Sequence, residues 1–233
     1  MQNKGQSGAP RKGDIGVTKL GNNEAIKKTS SHIFAMASLD TLMSHINACV
    51  KSAKGNQAII DDLKYIYAVL FDVCSIMSLN KKRNIEKDSR RKEVIGATDY
   101  LDARIKAIKA QLPNLSRFLD ITETHEACVA FEFARTACRQ CEPNVVNAID
   151  HHKEAYCKIY GGFSSIGGNT GSGTNATDKG GSSTDQGASS EGIALQEPEL
   201  IVETRKFINR LSLYLFTALR QINAMNGLSE IYR

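Results

Sequence analysis

Two arginines and a glutamate near the middle of the chain have the spacing of a single binding surface. Residues 134–142 read ARTACRQCE, and in a helix Arg135, Arg139 and Glu142 stand at i, i+4 and i+7 on one face. Two guanidinium groups on one face suit a polyanion such as triphosphate, because each presents a rigid fork of donors. The alternative is a solvated helix edge that carries an Arg–Glu pair. The stretch by itself is compatible with both.

A C-x-x-C motif in the same stretch, formed by Cys138 and Cys141, raises the question of a zinc or redox site. The motif lies within a helical pattern rather than at a strand-to-helix turn, and no second C-x-x-C follows in the sequence. His151 and His152 lie at least ~15 Å away along the same helix at 1.5 Å per residue. They cannot complete a tetrahedral site with the cysteines. We therefore predict buried thiols and no metal bound by these side chains.

Length, charge and hydropathy bound the class of protein. With 233 residues and 41% hydrophobic content, the chain can form a substantial core. The net charge of +5 is too mild for a nucleic-acid footprint, and the basic clusters at 81–83 and 90–92 lack interleaved aromatic residues. No apolar run approaches the ~18 residues that span a bilayer. We expect a soluble protein that binds neither nucleic acid nor membrane. The missing signal-peptide core favours the cytoplasm or the mitochondrial matrix.

The chain divides into a helical domain and two segments of low complexity. Residues 1–12 are predicted to form a disordered arm, and residues 13–233 a helical domain. The Gly/Ser-rich residues 161–192 are predicted to be a disordered insert within that domain. Apolar periodicity predicts five helices and no strands, at about residues 30–52, 57–79, 98–111, 123–159 and 198–226. The fourth helix should kink or split at Pro143. The expected fold is an all-α five-helix bundle.

The periodicity also predicts which faces are buried. In the first helix, Asp40 falls on the stripe of Ile33, Met36 and Met43, so its carboxylate should need a cationic partner. The predicted seam of the second helix consists of Ile60, Leu63, Tyr67, Leu70, Cys74 and Met77. The predicted seam of the last helix consists of Leu200, Phe207, Leu211, Leu215, Ala218 and Ile222.

Two further segments carry groups that can bind an anion. Residues 13–20 read GDIGVTKL, where Gly13 and Gly16 let backbone N–H groups approach an anion closely. In the same loop, Asp14 and Thr18 could hold a metal or a hydroxyl group. Lys28 follows the loop, and Asn209 with Arg210 lies on the last helix. The G-x-x-x-x-G-K-[ST] phosphate loop is absent from the sequence.

The combination of these motifs resembles the ATP:cob(I)alamin adenosyltransferases of the propanediol-utilisation type. Their T-G-D-x-G-x-T loop and the following lysine are matched by Gly13, Asp14, Gly16, Thr18 and Lys28. Their D-E-L-N begins at the position of Asp40. Their A-R-T-x-C-R-R-A-E-R is matched by Ala134, Arg135, Thr136, Cys138, Arg139 and Glu142. Their N-R-L-S-D-Y-L-F is matched by residues 209–212 and 214–216, with Arg220 and Asn223 at the later arginine and asparagine.

The resemblance implies an enzyme and an assembly. It implies a ferritin-like up-down bundle that forms a homotrimer, with ATP, Mg²⁺ and the substrate cobalamin bound between subunits. The loop residues, Lys28 and Arg139 would bind the phosphates with Mg²⁺, while Glu142 and Asn209 would hold the ATP side of the site. Asp40 and Arg135 would form an ion pair between subunits, and Phe118 would exclude the lower axial ligand of the corrinoid. A reductase and an adenosylcobalamin-dependent mutase would be the protein partners.

The sequence departs from the family pattern at several of these positions. His32 replaces an arginine, and D-E-L-N has become Asp40-Thr-Leu-Met. Gln140, Pro143 and Leu213 replace two arginines and an aspartate. The F-x-L-P-G-G turn is absent, and Phe118 is only an approximate match to its aromatic residue. An ATP-binding homologue of altered or lost corrinoid chemistry is therefore the alternative hypothesis.

Overall fold

A computed structural model describes residues 12–21, 23–78, 89–115, 117–122, 124–160 and 198–232. Within them lie the helices α1 (Ser31–Ser52), α2 (Gln57–Met77), α3 (Ser89–Lys109), α4 (Glu126–His151), α5 (Lys153–Tyr160) and α6 (Glu199–Met225). A 3₁₀ turn (Lys12–Ile15) precedes β1 (Val17–Lys19) and β2 (Ala25–Lys27). Strands β3 (Leu119–Asp120) and β4 (Ile231–Tyr232) form a second small sheet.

The five long helices pack around one core and confirm the predicted all-α bundle. Helix α1 packs between α2 and α4, and α6 packs between α4 and α3. Contacts between α2 and α3 complete the ring of helices. The predicted seam of α6 is buried along its whole length. The prediction that no strands occur is wrong, because two antiparallel two-stranded sheets flank the helices.

Helix α4 continues through Pro143, so the predicted split at that residue does not occur. Proline removes one backbone N–H from the helical ladder, but Cys141 and Val145 on either side of it are buried in the core. Packing on α1 and α6 therefore outweighs the lost hydrogen bond. The helix ends at His151 instead, and the shorter α5 begins at Lys153.

The buried face of α1 differs from the predicted stripe. Ser30 caps the helix by accepting a hydrogen bond from the Ile33 amide, and the buried residues are His32, Ala35, Leu39, Leu42, Met43, Ile46 and Cys49. Asp40 is exposed in this chain, so the predicted stripe is not the buried face of α1 at that position. By length and hydropathy, α1 could cross a membrane, contrary to the expectation that no such segment exists. Its apolar face packs on α2 and α4 instead.

The buried face of α2 is also rotated from the predicted one. Tyr67, which was predicted to lie in the seam, is 41% exposed, while Ile66 and Val69 are fully buried. Asp62 is buried on the same face. Its carboxylate accepts hydrogen bonds from Tyr100 and Arg104 on α3 and from Tyr214 on α6. This polar cluster joins three helices and was not predicted.

Several predicted segments fall outside the described residues. They are nearly all of the arm at 1–12, the insert at 161–192 and the basic cluster at 81–83. The domain boundaries proposed above therefore stay predictions. Helix α3 begins at Ser89, earlier than the predicted residue 98.

Candidate active site

A cavity of about 460 Å³ lies between α4, α6 and the connection from α3 to α4. Its polar side is formed by Glu132, Arg135 and Arg139 of α4. Most of the remaining lining is apolar, and it is formed by Leu115, Arg117, Phe118, Leu119, Ile121, Ser212, Leu213 and Phe216. One side therefore suits an anion, while the opposite side suits a large apolar surface. Of the four residues predicted to be catalytic, Arg135, Arg139 and Phe118 converge here.

The two arginines differ in their surroundings. Arg135 forms a two-pronged ion pair with Glu132, one turn earlier in α4, with 2.8 Å between Nε and Oε2. This hydrogen bonding raises the pKa of Arg135. Arg139 is exposed, and the described part of the chain gives its side chain no hydrogen-bond partner. Arg139 is therefore free to bind an incoming anion, as is the exposed Arg117 on the connection from α3 to α4. The i, i+3 spacing of Glu132 and Arg135 was sufficient to predict this ion pair, but the pair was not among our predictions.

Phe118 lies at the rim of the cavity, on the connection between α3 and α4. Its side chain is 88% exposed, which is unusual for a large apolar residue that is not covered by a partner or a ligand. The residue directly precedes strand β3. The position of its ring therefore depends on how this strand is held.

Asp40 does not line the cavity. It lies on the exposed side of α1 and contributes to the raised pKa of Cys74, although burial of that thiol is the larger cause. Within one chain the carboxylate that pairs with Arg135 is Glu132. The predicted ion pair between Asp40 and Arg135 of different subunits stays a prediction.

Glu142 and Asn209, predicted to bind ATP, contact each other directly. The side-chain amide of Asn209 on α6 donates to Oε1 of Glu142 on α4 at 2.8 Å. Glu142 lies about one turn after Arg139 on α4. The two residues therefore extend the polar edge of the cavity along the α4–α6 junction.

The remaining predicted ligand-binding residues gather on the first hairpin. Strands β1 and β2 pair in the register Val17↔Lys27 and Thr18↔Ile26, and the Lys28 amide donates to the Gly16 carbonyl at 2.8 Å. Gly16 has a φ of 75°, which glycine adopts without the strain that a side chain would bring. A Cβ on Gly13 would lie 3.5 Å from Nζ of Lys28, so the ammonium group lies beside the turn that carries the exposed Asp14.

Within one chain, the hairpin and the cavity are separate. The hairpin joins the end of α2, where the Gly21 amide donates to the Ser78 carbonyl at 3.1 Å. None of the described residues 12–28 lines the cavity. Gly13, Asp14, Gly16, Thr18 and Lys28 therefore form one group, and Phe118, Arg135 and Arg139 form another.

The C-x-x-C cysteines are buried, as predicted. The thiol of Cys138 donates to the Ile208 carbonyl, and both Cys138 and Cys141 are inaccessible to solvent. Burial raises the pKa of Cys138 and brings that of Cys141 to about 11. Both thiols are therefore protonated near neutral pH. Among the described residues, no group of three or more metal-ligating side chains occurs.

His32, at the position of a family arginine, is a buried core residue. Its Nε2 is 2.8 Å from the Tyr156 hydroxyl, and its ring packs edge-on against His152 at 4.3 Å. Burial, aided by the neighbouring His152, lowers the pKa of His32 to about 4. The neutral imidazole therefore connects α1 to the start of α5 and does not reach the cavity.

Known proteins share this fold. No curated protein sequence matches the chain significantly. A phenylalanine-to-alanine variant of the PduO-type ATP:corrinoid adenosyltransferase from Lactobacillus reuteri, complexed with cobalamin and ATP, matches at a TM-score of 0.66. The two share 18% identity, over 97% of this chain and 98% of that one. An arginine-to-lysine variant complexed with ATP matches at a TM-score of 0.62 and 17% identity, over 97% and 99% of the chains.

At these identities the structural similarity establishes the fold. The cobalamin adenosyltransferase family matches residues 9–160, well over half of the chain. This span includes the hairpin, α1 to α5 and the Arg135–Glu142 surface. The chain therefore belongs to the cobalamin adenosyltransferase family.

Proposed function

We propose that this protein transfers the 5′-deoxyadenosyl group of ATP to cob(I)alamin. Cobalt(I) attacks C5′ of ATP, the cobalt–carbon bond forms, the C5′–O bond breaks and triphosphate leaves with the bonding electrons. The observation that carries the proposal is the convergence of Arg139, Arg135 and Phe118 on one cavity. A free guanidinium and an exposed aromatic ring are the two groups that an anionic nucleotide and a flat corrinoid would each require.

The protein contributes positioning and charge to this reaction. Negative charge grows on triphosphate as the C5′–O bond breaks, and a preorganised cation stabilises that charge more in the transition state than in the ground state. Arg139 has this role in the proposal, because its guanidinium is not neutralised by a carboxylate. Lys28 and the backbone of residues 13–18 hold the other phosphates.

Mg²⁺ fits the side chains on the hairpin. Magnesium in nucleotide sites is usually held by one or two carboxylates together with phosphate oxygens and water. Asp14 is an exposed carboxylate beside Lys28 on the hairpin, with Thr18 on the adjacent strand. Asp14 would hold the ion, which would neutralise part of the triphosphate charge.

The separation of the hairpin from the cavity favours a site shared between subunits. We propose a homotrimer in which the hairpin of one subunit approaches the cavity of its neighbour. Helices α1 and α4 pack together and both leave large apolar side chains in solvent, including Phe34 (55% exposed), Val129 (51%) and Phe133 (57%). A contact between subunits would cover such residues. It would also give Asp40 access to an arginine of the neighbour.

The test is an adenosylation assay with reduced cobalamin and Mg-ATP under a strong reductant. The proposal predicts a light-sensitive adenosylcobalamin product and stoichiometric triphosphate, both absent when ATP is omitted. Calorimetry with Mg-ATP runs in parallel. Heat of ATP binding without adenosylated product would replace the proposal with the alternative, an ATP-binding homologue that lacks corrinoid chemistry. This alternative is favoured by the missing Pro-Gly-Gly turn.

A further inference from the structure

The connection between α3 and α4 is hydrogen-bonded to α6 at both of its ends. At its start, Nη2 of Arg220 donates to the Pro113 carbonyl at 2.6 Å. At its end, the His125 amide donates to Oδ1 of Asn223 at 2.9 Å. Arg220 and Asn223 are neighbours on α6 and both are buried. One turn of α6 therefore fixes where the connection leaves α3 and where it enters α4.

The middle of the connection is held by the segment that follows α6. Strand β3 pairs with β4 in the register Leu119↔Tyr232 and Asp120↔Ile231. A two-residue pairing is weak by itself, because it supplies few hydrogen bonds and little buried surface. Its stability must therefore come from the contacts beside it.

Those contacts centre on a buried ion pair between Arg220 and Glu230. Nε and Nη2 of Arg220 lie 2.5 and 3.0 Å from the two carboxylate oxygens of Glu230, and both side chains are under 10% exposed. The Tyr232 hydroxyl donates to Oε2 of the same carboxylate. Burial would raise the pKa of Glu230, but the hydrogen bonds from Arg220 and Tyr232 hold it below its usual value. Glu230 therefore joins β4 to α6 as an ionised carboxylate.

The residues between Pro113 and His125 form one wall of the 460 Å³ cavity. Five of its lining residues come from this connection, Phe118 among them. A second cavity of about 340 Å³, lined by Arg220 and Pro113, shares Leu115, Leu213 and Phe216 with the first. Residues 114–122 contain neither proline nor glycine, and at their end the amide and hydroxyl of Thr122 both donate to Oδ1 of Asp120. This local turn follows Phe118, so the contacts with α6 and β4 are what hold the part of the wall that carries the ring.

We propose that residues 228–232 act as a clasp that positions Phe118 and the cavity wall for the corrinoid, with Glu230 as its positioning residue. This inference rests on the proposed function. The clasp contacts the connection and α6, whereas Arg139 and the hairpin belong to other elements. Removal of the contacts made by residues 228–232 therefore weakens the fit of the apolar wall to the corrinoid. It leaves the phosphate-binding groups in place.

The test compares E230Q with E203Q, in the full chain. Glu203 also lies on the α6 side of the bundle and pairs with Lys206 at 2.8 Å, but neither residue lines the cavity. We measure amide hydrogen exchange over residues 113–122, and the Kd for cob(II)alamin and for Mg-ATP. In E230Q, exchange should accelerate and the corrinoid Kd should rise about tenfold, because a displaced apolar wall loses part of its contact with the corrinoid, and tenfold in Kd corresponds to only about 1.4 kcal/mol. The Kd for ATP should change by less than about twofold, and E203Q should match the wild type.

Equal weakening of corrinoid and ATP binding in E230Q, or unchanged exchange over 113–122, would overturn the clasp. Should E230Q fold poorly, Y232F removes only the hydroxyl that donates to Glu230 and should give the same selective change at smaller size. A wild-type chain that binds Mg-ATP but no corrinoid would instead refute the proposed function. The exchange measurement would then decide by itself whether Glu230 holds the connection.

Discussion

Helix α6 carries two polar clusters of the same chemistry that hold different regions of the molecule. In the first, Asp62 accepts hydrogen bonds from Tyr214 at 2.9 Å, Arg104 at 2.8 Å and Tyr100 at 2.5 Å. In the second, Glu230 pairs with Arg220 and accepts a hydrogen bond from Tyr232. Each cluster therefore combines a buried carboxylate, a guanidinium and tyrosine hydroxyls.

The two clusters differ in the elements that they join. Asp62 joins α2, α3 and α6, each of which also packs a full face of apolar side chains into the core. The cluster around Glu230 holds a connection whose largest side chain, Phe118, lies in solvent. Breaking the Asp62 cluster should therefore lower the stability of the whole fold. Breaking the Glu230 cluster should mainly change the position of the cavity wall.

The largest effect is expected from breaking the cluster in the scaffold. Asp62→Ala leaves Arg104 and Tyr214 without their acceptor and should lower the free energy of unfolding by about 3–5 kcal/mol. Asp61→Ala is the matched control, because the neighbouring Asp61 is exposed and, among the described residues, bonds to the exposed Gln57 alone. Its effect should stay within about 0.5 kcal/mol. Urea unfolding measures both, and equal losses in the two variants would contradict the role given to Asp62.

Removing the free guanidinium of the cavity should affect activity rather than stability. Arg139→Ala should lower kcat/KM for ATP by ~10–150-fold, since it deletes a charge-assisted contact with the leaving group. Arg205→Ala is the control, because Arg205 pairs with Asp150 outside the cavity. It should leave turnover unchanged. An Arg139→Ala variant as active as wild type would rule out the phosphate role of this residue.

Two glycines allow the hairpin to be compared with a turn in the scaffold. Gly16 and Gly55 have φ angles of 75° and 89°, and a Cβ on either would meet nothing within 4 Å. Alanine at either position should therefore cost the same backbone strain, roughly 1 kcal/mol. Only Gly16→Ala should also raise the KM for ATP, because it disturbs the proposed phosphate-binding loop. A KM that rises equally in Gly55→Ala would show an indirect effect of stability.

The smallest expected effect concerns the pH dependence of the scaffold. Because burial and His152 lower the pKa of His32 from 6.5 to about 4, the unfolded chain binds more protons than the folded chain between these values. Stability should therefore fall as the pH decreases from about 6.5 towards 4. His32→Gln should flatten this dependence, because it removes the buried imidazole that gains a proton on unfolding. Urea midpoints at pH 7 and pH 5.5 test the difference.

Local patterns in the sequence predicted the parts of the site that are close together along the chain. The spacing of Arg135, Arg139 and Glu142 placed them on one edge of α4, and the hairpin motif gathered Gly13 to Lys28. The seam of α6 was predicted correctly, since all six residues assigned to it are buried. In α2 the apolar residues are not confined to one face: Tyr67 and Phe71 are apolar and exposed, so periodicity alone did not define the buried side.

The sequence did not reveal pairs that are formed by distant residues. Asp62 and Tyr214 are 152 positions apart, and no local pattern predicts their contact. The pairing of β3 with β4 depends on two strands of two residues each, which are too short to produce an alternating pattern. The absence of the Pro-Gly-Gly turn indicated that the wall carrying Phe118 is built differently from the family pattern. It did not indicate that Glu230 holds it.

Pro143 gives α4 a mechanical property that the rest of the bundle lacks. A proline has no N–H to bond the carbonyl four residues earlier, and in α4 that carbonyl belongs to Arg139. A helix that lacks one backbone hydrogen bond bends more easily at that turn. The turn of α4 that lacks this hydrogen bond is therefore the turn that carries Arg139. The buried residues on both sides of it remain packed in the core. We therefore expect Arg139 to shift towards a ligand more easily than the buried residues on either side of it.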